Sequence, residues 1–205
     1  MLFGEKMKEL LDKLSRGEIS VAQAEKILKI HYIEEISNIA KIDIGREIRK
    51  GIPEIVFGEG KTPQDVLEIT MKMLKETGRV IISRVQKNQI NIIKKNVPDH
   101  TFLQINSKAN IIVIKKNDYK NKTGGKIGIL TAGTSDIPVA EEAKIIAEEM
   151  GCEVITAYDV GVAGIHRLFI HLKKMVEEDV DVIIAIAGRE GALPTVVAGI
   201  VDIPV

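Results

Sequence analysis

The sequence is poor in the residues that mark several classes of protein. It has no tryptophan, 3% aromatic residues and a single cysteine, Cys152, among its 205 residues. One cysteine excludes an intrachain disulfide and indicates a reducing compartment. Lysine plus arginine and aspartate plus glutamate number 29 each. The net charge is therefore zero, and no global field favours nucleic acid or an acidic membrane as a partner.

Signals for export and membrane insertion are also missing. We find no basic-then-apolar leader and no apolar run long enough to cross a bilayer. We therefore expect a cytoplasmic protein that binds neither membranes nor nucleic acid. A hydrophobic content of 45% over this length suffices for one large or two small domains.

The first half of the chain predicts a small α/β domain behind two leading helices. Apolar periodicity and turn residues predict helices at 4–15, 20–30, 63–76 and 85–96, with strands at 52–57, 79–84 and 109–115. The polar stretch Asn117–Gly125 ends in two glycines and is typical of a linker. We therefore expect one domain over residues 1–120 and a second over residues 121–205.

The second half alternates regularly between apolar strands and helices. The predicted strands are 126–130, 153–158 and 181–187, and the predicted helices are 138–150, 165–178 and 193–200. This order predicts a parallel sheet with helices on both faces. Ligands of such sheets bind at the carboxyl ends of the strands. Three polar loops fall there, at 131–136, 158–164 and 188–192.

The first of these loops predicts an anion site. An apolar strand is followed by a loop that contains Gly133, Thr134 and Ser135. The loop leads into a helix that has Pro138 in its first turn. We expect Gly133 to let the backbone turn sharply, and the N–H groups of the helix N-terminus to bind a phosphate. Asp136 has three open roles: a helix cap, an acceptor for ribose hydroxyls, or a ligand for a cation beside the phosphate.

The other two loops carry charged side chains with two interpretations each. The guanidinium group of Arg189 could bind a carboxylate or phosphate, and Glu190 could act as general acid or base. Alternatively, the two side chains form a solvated ion pair on a turn. Gly188 is one of the two glycines that frame them. His166 lies at a predicted helix start, where the dipole disfavours its cation. It could donate to a substrate carboxylate or be structural, and Asp159 ends the preceding strand.

A glycine-rich turn in the first half is similar to a phosphate-binding loop but departs from it. Gly58–Thr62 reads GEGKT, and Ile55 occupies the position where an ATP-binding P-loop needs glycine. This excludes a P-loop ATPase and leaves a smaller anion-binding turn, with Lys61 reaching the ligand. The histidines show no metal-ligand spacing, so no metal site is predicted. We expect Cys152 to be a small buried residue rather than a nucleophile.

Three segments of the second half resemble the AIR carboxylase (PurE-like) superfamily. They are Thr131–Asp136 (TAGTSD), Tyr158–Arg167 (YDVGVAGIHR) and Gly188–Gly199 (GREGALPTVVAG). The upstream segment from Asp43 to Thr62 is similar to a narrower branch, the LarB family of nickel-pincer cofactor biosynthesis. The resemblance covers most of residues 35–205. It implies a PurE-like parallel sheet preceded by a smaller α/β domain.

The resemblance also implies a reaction. Members of the LarB branch carboxylate C5 of the pyridinium ring of nicotinic acid adenine dinucleotide and cleave its phosphoanhydride, which yields pyridinium-3,5-biscarboxylic acid mononucleotide and AMP. Carbon dioxide or bicarbonate is the co-substrate, and no cofactor is implied with certainty; a magnesium ion beside the phosphates is an open alternative. The implied catalytic residues are Asp159, His166 and Glu190. The implied substrate-binding residues are Gly133, Thr134, Ser135, Asp136, Gly188, Arg189 and Lys61.

Two further expectations come from the resemblance. The family assembles as homo-oligomers, octamers in PurE-like domains. Its ring-activating cysteine lies beyond the strand that contains Val205, so we expect a C-terminally incomplete sheet and an inactive 205-residue fragment. Two other functions stay open: a carboxyaminoimidazole ribonucleotide mutase of purine biosynthesis, which typically lacks a long N-terminal domain, and a non-catalytic nucleotide-binding module.

Overall fold

The predicted helices and strands occur along the chain in the order that the apolar pattern indicates, with three further strands in the first half. The structure, a computed structural model, describes residues 3–31, 33–36, 40–43, 46–47, 51–116 and 124–205. Most of the predicted linker, 117–123, lies outside these residues, as do Arg49 and Lys50 of the upstream motif. The described chain divides into two units, of which the second comprises 106–111 and 124–205.

The first unit begins with helices α1 (Phe3–Ser15) and α2 (Val21–His31) and an antiparallel pair of short strands, β1 (Ile33–Ile36) and β2 (Ala40–Asp43). The start of α2 is capped as its sequence predicts. Ser20 Oγ accepts a hydrogen bond from the backbone of Gln23 at 3.2 Å, and Gln23 Oε1 accepts one from the backbone of Ser20 at 2.8 Å.

Within the described part of the first unit, two helices pack on a four-stranded mixed sheet. The strands are β3 (Ile55–Phe57), β4 (Arg79–Ser83), β5 (Phe102–Asn106) and β6 (Ile111–Lys115), in the spatial order β3-β4-β6-β5. β3 is parallel to β4, and β4 is antiparallel to β6. Helices α3 (Pro63–Thr77) and α4 (Lys87–Asn96) complete the core, which includes Ile69, Met73, Ile82, Ile93, Ile112 and Ile114.

The second unit has the predicted parallel sheet with helices on both faces. In the described residues its strands are β7 (Lys126–Thr131), β8 (Glu153–Ala157) and β9 (Val182–Ile186), in the order β8-β7-β9. β7 pairs with both neighbours in parallel. The helices are α5 (Ile137–Glu149), α6 (Ile165–Glu177) and α7 (Ala192–Ala198). Leu130 packs with α6 and α7, so its neighbour Ile129 faces the opposite side of the sheet, and both are fully buried.

Helix α6 approaches β7 closely because Gly128 has no side chain. A β-carbon built at Gly128 would lie 2.7 Å from Sδ of Met175 and 3.3 Å from Cγ1 of Ile183. Met175 is completely buried, so it has little room to withdraw. Gly128 therefore sets the spacing between the central strand and the helix that covers it.

Strands β1, β2 and β5 were not predicted from the sequence. In β5 exposed and partly buried residues alternate from Phe102 to Ile105, and Phe102 is half exposed at the edge of the sheet. A five-residue edge strand with an apolar residue on its exposed face gives little periodic signal. Cys152 also differs from its prediction, because it is only partly buried.

We expect the substitution Gly128→Ala to destabilise the protein by about 1–3 kcal/mol, because the added methyl group overpacks the contact with Met175. Urea unfolding of the full-length protein measures this loss. In the double variant Gly128→Ala/Met175→Ala the methyl group fills part of the vacated space. The double variant should therefore lose at least about 0.5 kcal/mol less than the sum of the two single losses. Additive losses would contradict a close contact.

Candidate functional site

The loop after β7 starts from a buried anchor and ends in an exposed turn. Thr131 is fully buried, and the backbone N–H of Ala132 donates to the carbonyl of Ile186 in β9 at 2.9 Å. A short 3-10 turn, Thr134–Asp136, then leads directly into α5. Thr134 and Ser135 are exposed. Their hydroxyls and the N-terminal N–H groups of α5 offer donors to an anion at this edge of the sheet.

Two expectations for this loop need correction. Gly133 has φ −140° and ψ 174°, an extended conformation that any residue adopts, so the turn does not require glycine there. Asp136 makes no side-chain cap for α5. Its Oδ2 instead accepts a hydrogen bond from the backbone N–H of Gly133 at 2.9 Å, which closes the turn one step earlier.

The loop after β8 is fastened to the end of β7. Thr131 Oγ1 accepts a hydrogen bond from the backbone N–H of Asp159 at 3.0 Å, and the Thr131 carbonyl accepts one from Val160 at 2.9 Å. Gly161 packs against the backbone of the first loop, since a β-carbon there would lie 2.5 Å from the carbonyl oxygen of Ala132. Only glycine fits this contact without a shift of the backbone.

Asp159 has an unusual backbone and a charged partner. Its φ of +59° lies in the left-handed region, which non-glycine residues rarely adopt. Its carboxylate accepts a hydrogen bond from Arg167 at 2.8 Å, in an ion pair that is about half exposed. His166 lies beside Arg167 in the first turn of α6 and is exposed, as the sequence predicts for a helix start.

The loop after β9 presents its polar residues to solvent. Gly188, Arg189 and Glu190 are exposed, and Arg189 has φ +46°. Among the described residues, no ion pair joins Arg189 to Glu190, so the simple turn ion pair is not formed. A β-carbon at Gly188 would lie 3.7 Å from Oδ1 of Asp136, which places the third loop beside the first.

The strand order explains why these loops meet. In a sheet ordered β8-β7-β9, the chain adds β8 on one side of β7 and then β9 on the other side. The ligand-binding crevice of such a sheet lies where this direction reverses. Here that point separates the loop after β7 from the loop after β9. The structure thus brings Gly133, Asp136 and Gly188 together, with Asp159 attached through Thr131.

Lys61 belongs to the first unit, where its Nζ donates to the carbonyl of Phe57 at 2.8 Å. Its turn is held by Gln89, which is fully buried and donates to the carbonyls of Gly58 and Lys61 at 2.8 and 2.9 Å. The turn is therefore preorganised. Contact between Lys61 and the same ligand stays a prediction.

The upstream motif has a structural role in the first unit. Arg79 opens β4 with only 5% of its side chain exposed, and it forms an ion pair with Glu47. Arg46 and Glu54 form a second, more exposed pair at 3.6 Å. A buried guanidinium requires such partners, because an unpaired buried charge is strongly unfavourable.

Sequence analysis missed a hydrogen-bonded pair beside the loops. Tyr158, directly after β8, donates through its hydroxyl to Glu141 Oε1 at 2.7 Å. Burial and this carboxylate raise the pKa of Tyr158 to about 12. Burial alone would raise the pKa of Glu141, but hydrogen bonds from Tyr158 and Asn106 outweigh it, and the pKa lies below its ordinary value. The only signal in the sequence was a tyrosine at a strand end.

Comparison with known proteins assigns the two halves of the chain. Residues 33–117 match the LarB/PurE-like N-terminal domain, and residues 126–205 match the AIR carboxylase domain. An uncharacterized protein of Methanocaldococcus jannaschii is 49% identical over 205 residues, which cover 98% of this chain and 80% of that protein. This chain belongs to the LarB/PurE-like family.

Two enzymes are similar to a smaller part of the chain. The N5-carboxyaminoimidazole ribonucleotide mutase of Thermotoga maritima is 36% identical over 84 residues, which are 39% of this chain and 47% of the mutase. The mutase of Pyrococcus horikoshii is 35% identical over 83 residues, which are 38% of this chain and 45% of that enzyme. The family is therefore of the carboxylase and mutase type.

Metal-binding clusters and membrane-spanning helices are both absent from the described residues. No group of three or more histidine, cysteine, aspartate or glutamate side chains is arranged to hold a metal ion in that part of the chain. Among the helices of the same residues, none combines the length and the apolar character that crossing a membrane requires.

Gly161 offers a sharp test of how the loops are joined. The substitution Gly161→Ala should lower the free energy of unfolding by about 1–3 kcal/mol, because its methyl group meets a backbone oxygen that cannot rotate away. Gly133→Ala is the matched control, since the atoms nearest to its β-carbon lie at 3.8 Å. It should change stability by less than about 0.5 kcal/mol. Equal urea midpoints for the two variants would argue against the close approach.

Proposed function

We propose that this LarB/PurE-like protein carboxylates C5 of the pyridinium ring of nicotinic acid adenine dinucleotide and cleaves the phosphoanhydride. The products are pyridinium-3,5-biscarboxylic acid mononucleotide and AMP. The observation that carries the proposal is the presence of the LarB/PurE-like N-terminal domain and the AIR carboxylase domain in one chain. The mutase relatives match only 39% and 38% of this chain.

The loop after β7 is the proposed phosphate site. Its exposed hydroxyls, Thr134 and Ser135, precede a 13-residue helix whose N-terminus carries a partial positive charge. Asp136 Oδ2 is engaged with Gly133, and its Oδ1 faces the third loop. We assign Oδ1 to a ribose hydroxyl. This role is compatible with the turn-closing role of Oδ2.

The other two loops are the proposed site for the pyridinium ring and its carboxylates. Arg189 is exposed in the loop after β9, at the point where the strand order reverses, and its guanidinium group can bind a carboxylate there. His166 is exposed at the start of α6 and can donate to the second carboxylate. Asp159 and Glu190 supply the negative charge that a cationic ring prefers, and Glu190 is the proposed base for the C5 proton.

The reaction needs a nucleophile, because pyridinium C5 is not itself nucleophilic. In the LarB branch a cysteine thiolate adds to the ring and converts it to an enamine. C5 then forms a bond to CO2, the C5 proton leaves to a base, and loss of the thiolate restores the aromatic ring. Water cleaves the phosphoanhydride and releases AMP. The net reaction consumes CO2 and water, and the thiolate is regenerated.

Cys152 is poorly placed to be this thiolate. It directly precedes β8, at the amino end of the strand, whereas the three loops follow the carboxyl ends. At roughly 3.3 Å per residue, five residues of strand separate the two ends by about 16 Å. We therefore propose that Cys152 has no part in ring activation.

The mutase activity of the two similar enzymes is the second candidate, supported by their identities of 36% over 84 residues and 35% over 83 residues. A non-catalytic nucleotide-binding module is the third. A cytoplasmic location, a magnesium ion beside the phosphates, the boundary near residue 120 and assembly into homo-oligomers also remain proposals. Assembly is supported by exposed apolar residues on α6, Phe169 and Ile170.

Activity is tested with the full-length protein, the dinucleotide and isotopically labelled bicarbonate. We expect mass spectrometry to detect the labelled biscarboxylated mononucleotide together with AMP. Glu190→Gln should reduce turnover by about 10²-fold or more, since it removes the base. Cys152→Ser, the control, should retain turnover. Loss of product in Cys152→Ser would show that Cys152 is the nucleophile after all. Conversion of N5-carboxyaminoimidazole ribonucleotide instead of the dinucleotide would favour the mutase.

Binding is tested separately. The double substitution Ser135→Ala/Asp136→Ala should weaken binding of the dinucleotide at least tenfold, or about 1.4 kcal/mol, because it removes donors and acceptors from the phosphate and ribose. Thr195→Ala, an exposed hydroxyl on α7, is the matched control and should change affinity less than twofold. Calorimetry that finds unchanged affinity in the double variant would refute the phosphate site.

A further inference from the structure

A continuous set of hydrogen bonds lies beside the proposed site within the second unit. Both oxygens of the Glu141 carboxylate have a donor: Tyr158 Oη at 2.7 Å and Asn106 Nδ2 at 3.0 Å. Asn106 cannot present its amide the other way round, because its Oδ1 accepts hydrogen bonds from the backbone of Lys108 and Ala109 at 2.9 and 3.0 Å. The orientation of Glu141 is therefore set from both sides.

The same residues join two parts of the site to one helix. Glu141 lies in α5, a little more than one turn after Ile137, the first residue of the helix. Its carboxylate is therefore close to the N-terminus of α5, which directly follows the phosphate loop. Tyr158 is the residue immediately before Asp159 in the second loop. Helix α5 is thus joined to both loops: the first loop leads into the N-terminus of the helix, and the second loop is hydrogen-bonded to it through Glu141.

Asp159 needs such support. Its left-handed backbone is unfavourable for a side-chain-bearing residue and persists only where the surroundings hold it. Four hydrogen bonds lie around it in the described part of the chain. Tyr158 Oη bonds to Glu141 on α5, the N–H groups of Asp159 and Val160 bond to Thr131 on β7, and Arg167 of α6 bonds to the Asp159 carboxylate. Loss of the first removes the attachment of the loop to α5.

We infer that Tyr158 and Glu141 are positioning residues, which set the distance between the phosphate loop and Asp159 and so hold the site ready for its ligand. In this role both residues act through the loops that they hold and not through contact with the ligand. The inference rests on the proposed function for the identity of that ligand, the dinucleotide. The lowered pKa of Glu141 supports it, since the carboxylate is held in its charged, accepting form.

The test uses variants that change the hydrogen bonds and preserve the shape. Tyr158→Phe removes one donor. Glu141→Gln leaves one acceptor oxygen for two donors: its amide N–H faces either Asn106 or Tyr158, whose hydroxyl must then accept instead of donate. The exchanged pair Asn106→Asp/Glu141→Gln restores a donor opposite each acceptor and keeps the net charge. Glu148→Gln is the control, because it makes the same chemical change on an exposed residue of α5.

Hydrogen exchange of the full-length protein gives the first readout. Amides 159–161 should exchange at least tenfold faster in Tyr158→Phe and Glu141→Gln, while amides of β7 that pair with β8 keep their protection. The exchanged pair should return the rates to within threefold of the original protein. Unchanged rates at 159–161 in both single variants would overturn the inference, whether or not the dinucleotide binds.

Affinity for the dinucleotide gives the second readout. We expect the dissociation constant to rise at least fivefold in Glu141→Gln, to return to within twofold in the exchanged pair, and to stay unchanged in Glu148→Gln. Faster exchange with unchanged affinity would overturn the positioning role. If the original protein fails to bind dinucleotide, the proposed function fails, and the exchange data alone then decide whether this pair holds the loop.

Discussion

The parallel pairing of β7 with a strand on each side is the constraint on which the second unit depends. Leu130 and Ile129 bury opposite faces of this strand, and Gly128 lets α6 lie close to it. Where the strand ends, Thr131 accepts hydrogen bonds from the second loop, and Ala132 donates to β9. The end of one buried strand therefore fixes all three loops of the site, and a shift of β7 would move all of them together.

This arrangement explains how the proposed site can be ordered although it is exposed. The residues proposed to bind the ligand, Ser135 and Arg189 among them, are exposed, while the groups that hold their loops are buried or half-buried. Glycine at 161 and left-handed backbones at Asp159 and Arg189 give the loops shapes that an ordinary connection would not adopt. Such strain is tolerated where the surroundings hold it, and it is found where ligands bind.

Local pattern predicted much of this structure. The strands and helices of the second unit lie within a few residues of their predicted bounds, because continuous apolar runs and turn residues mark them clearly. Strand β5 was missed because it is short and carries an apolar residue, Phe102, on its exposed face. Gly133 was misinterpreted, because the need for glycine depends on the backbone angle, which composition does not reveal. The pair Tyr158 and Glu141 was missed because 17 residues separate partners that only the packing of α5 on β8 brings together.

The sequence by itself determined the alternation of elements, the parallel sheet with its covered faces, and the loops at the carboxyl ends of the strands. It did so because burial and turn formation are governed by residues close together in the chain. Only the tertiary structure decided which loops meet, that Asp136 closes its own turn, and that Gly161 lies against Ala132. Those features depend on strand order and on the separation of distant backbones. No short stretch of sequence encodes either, because each results from how many segments pack at once.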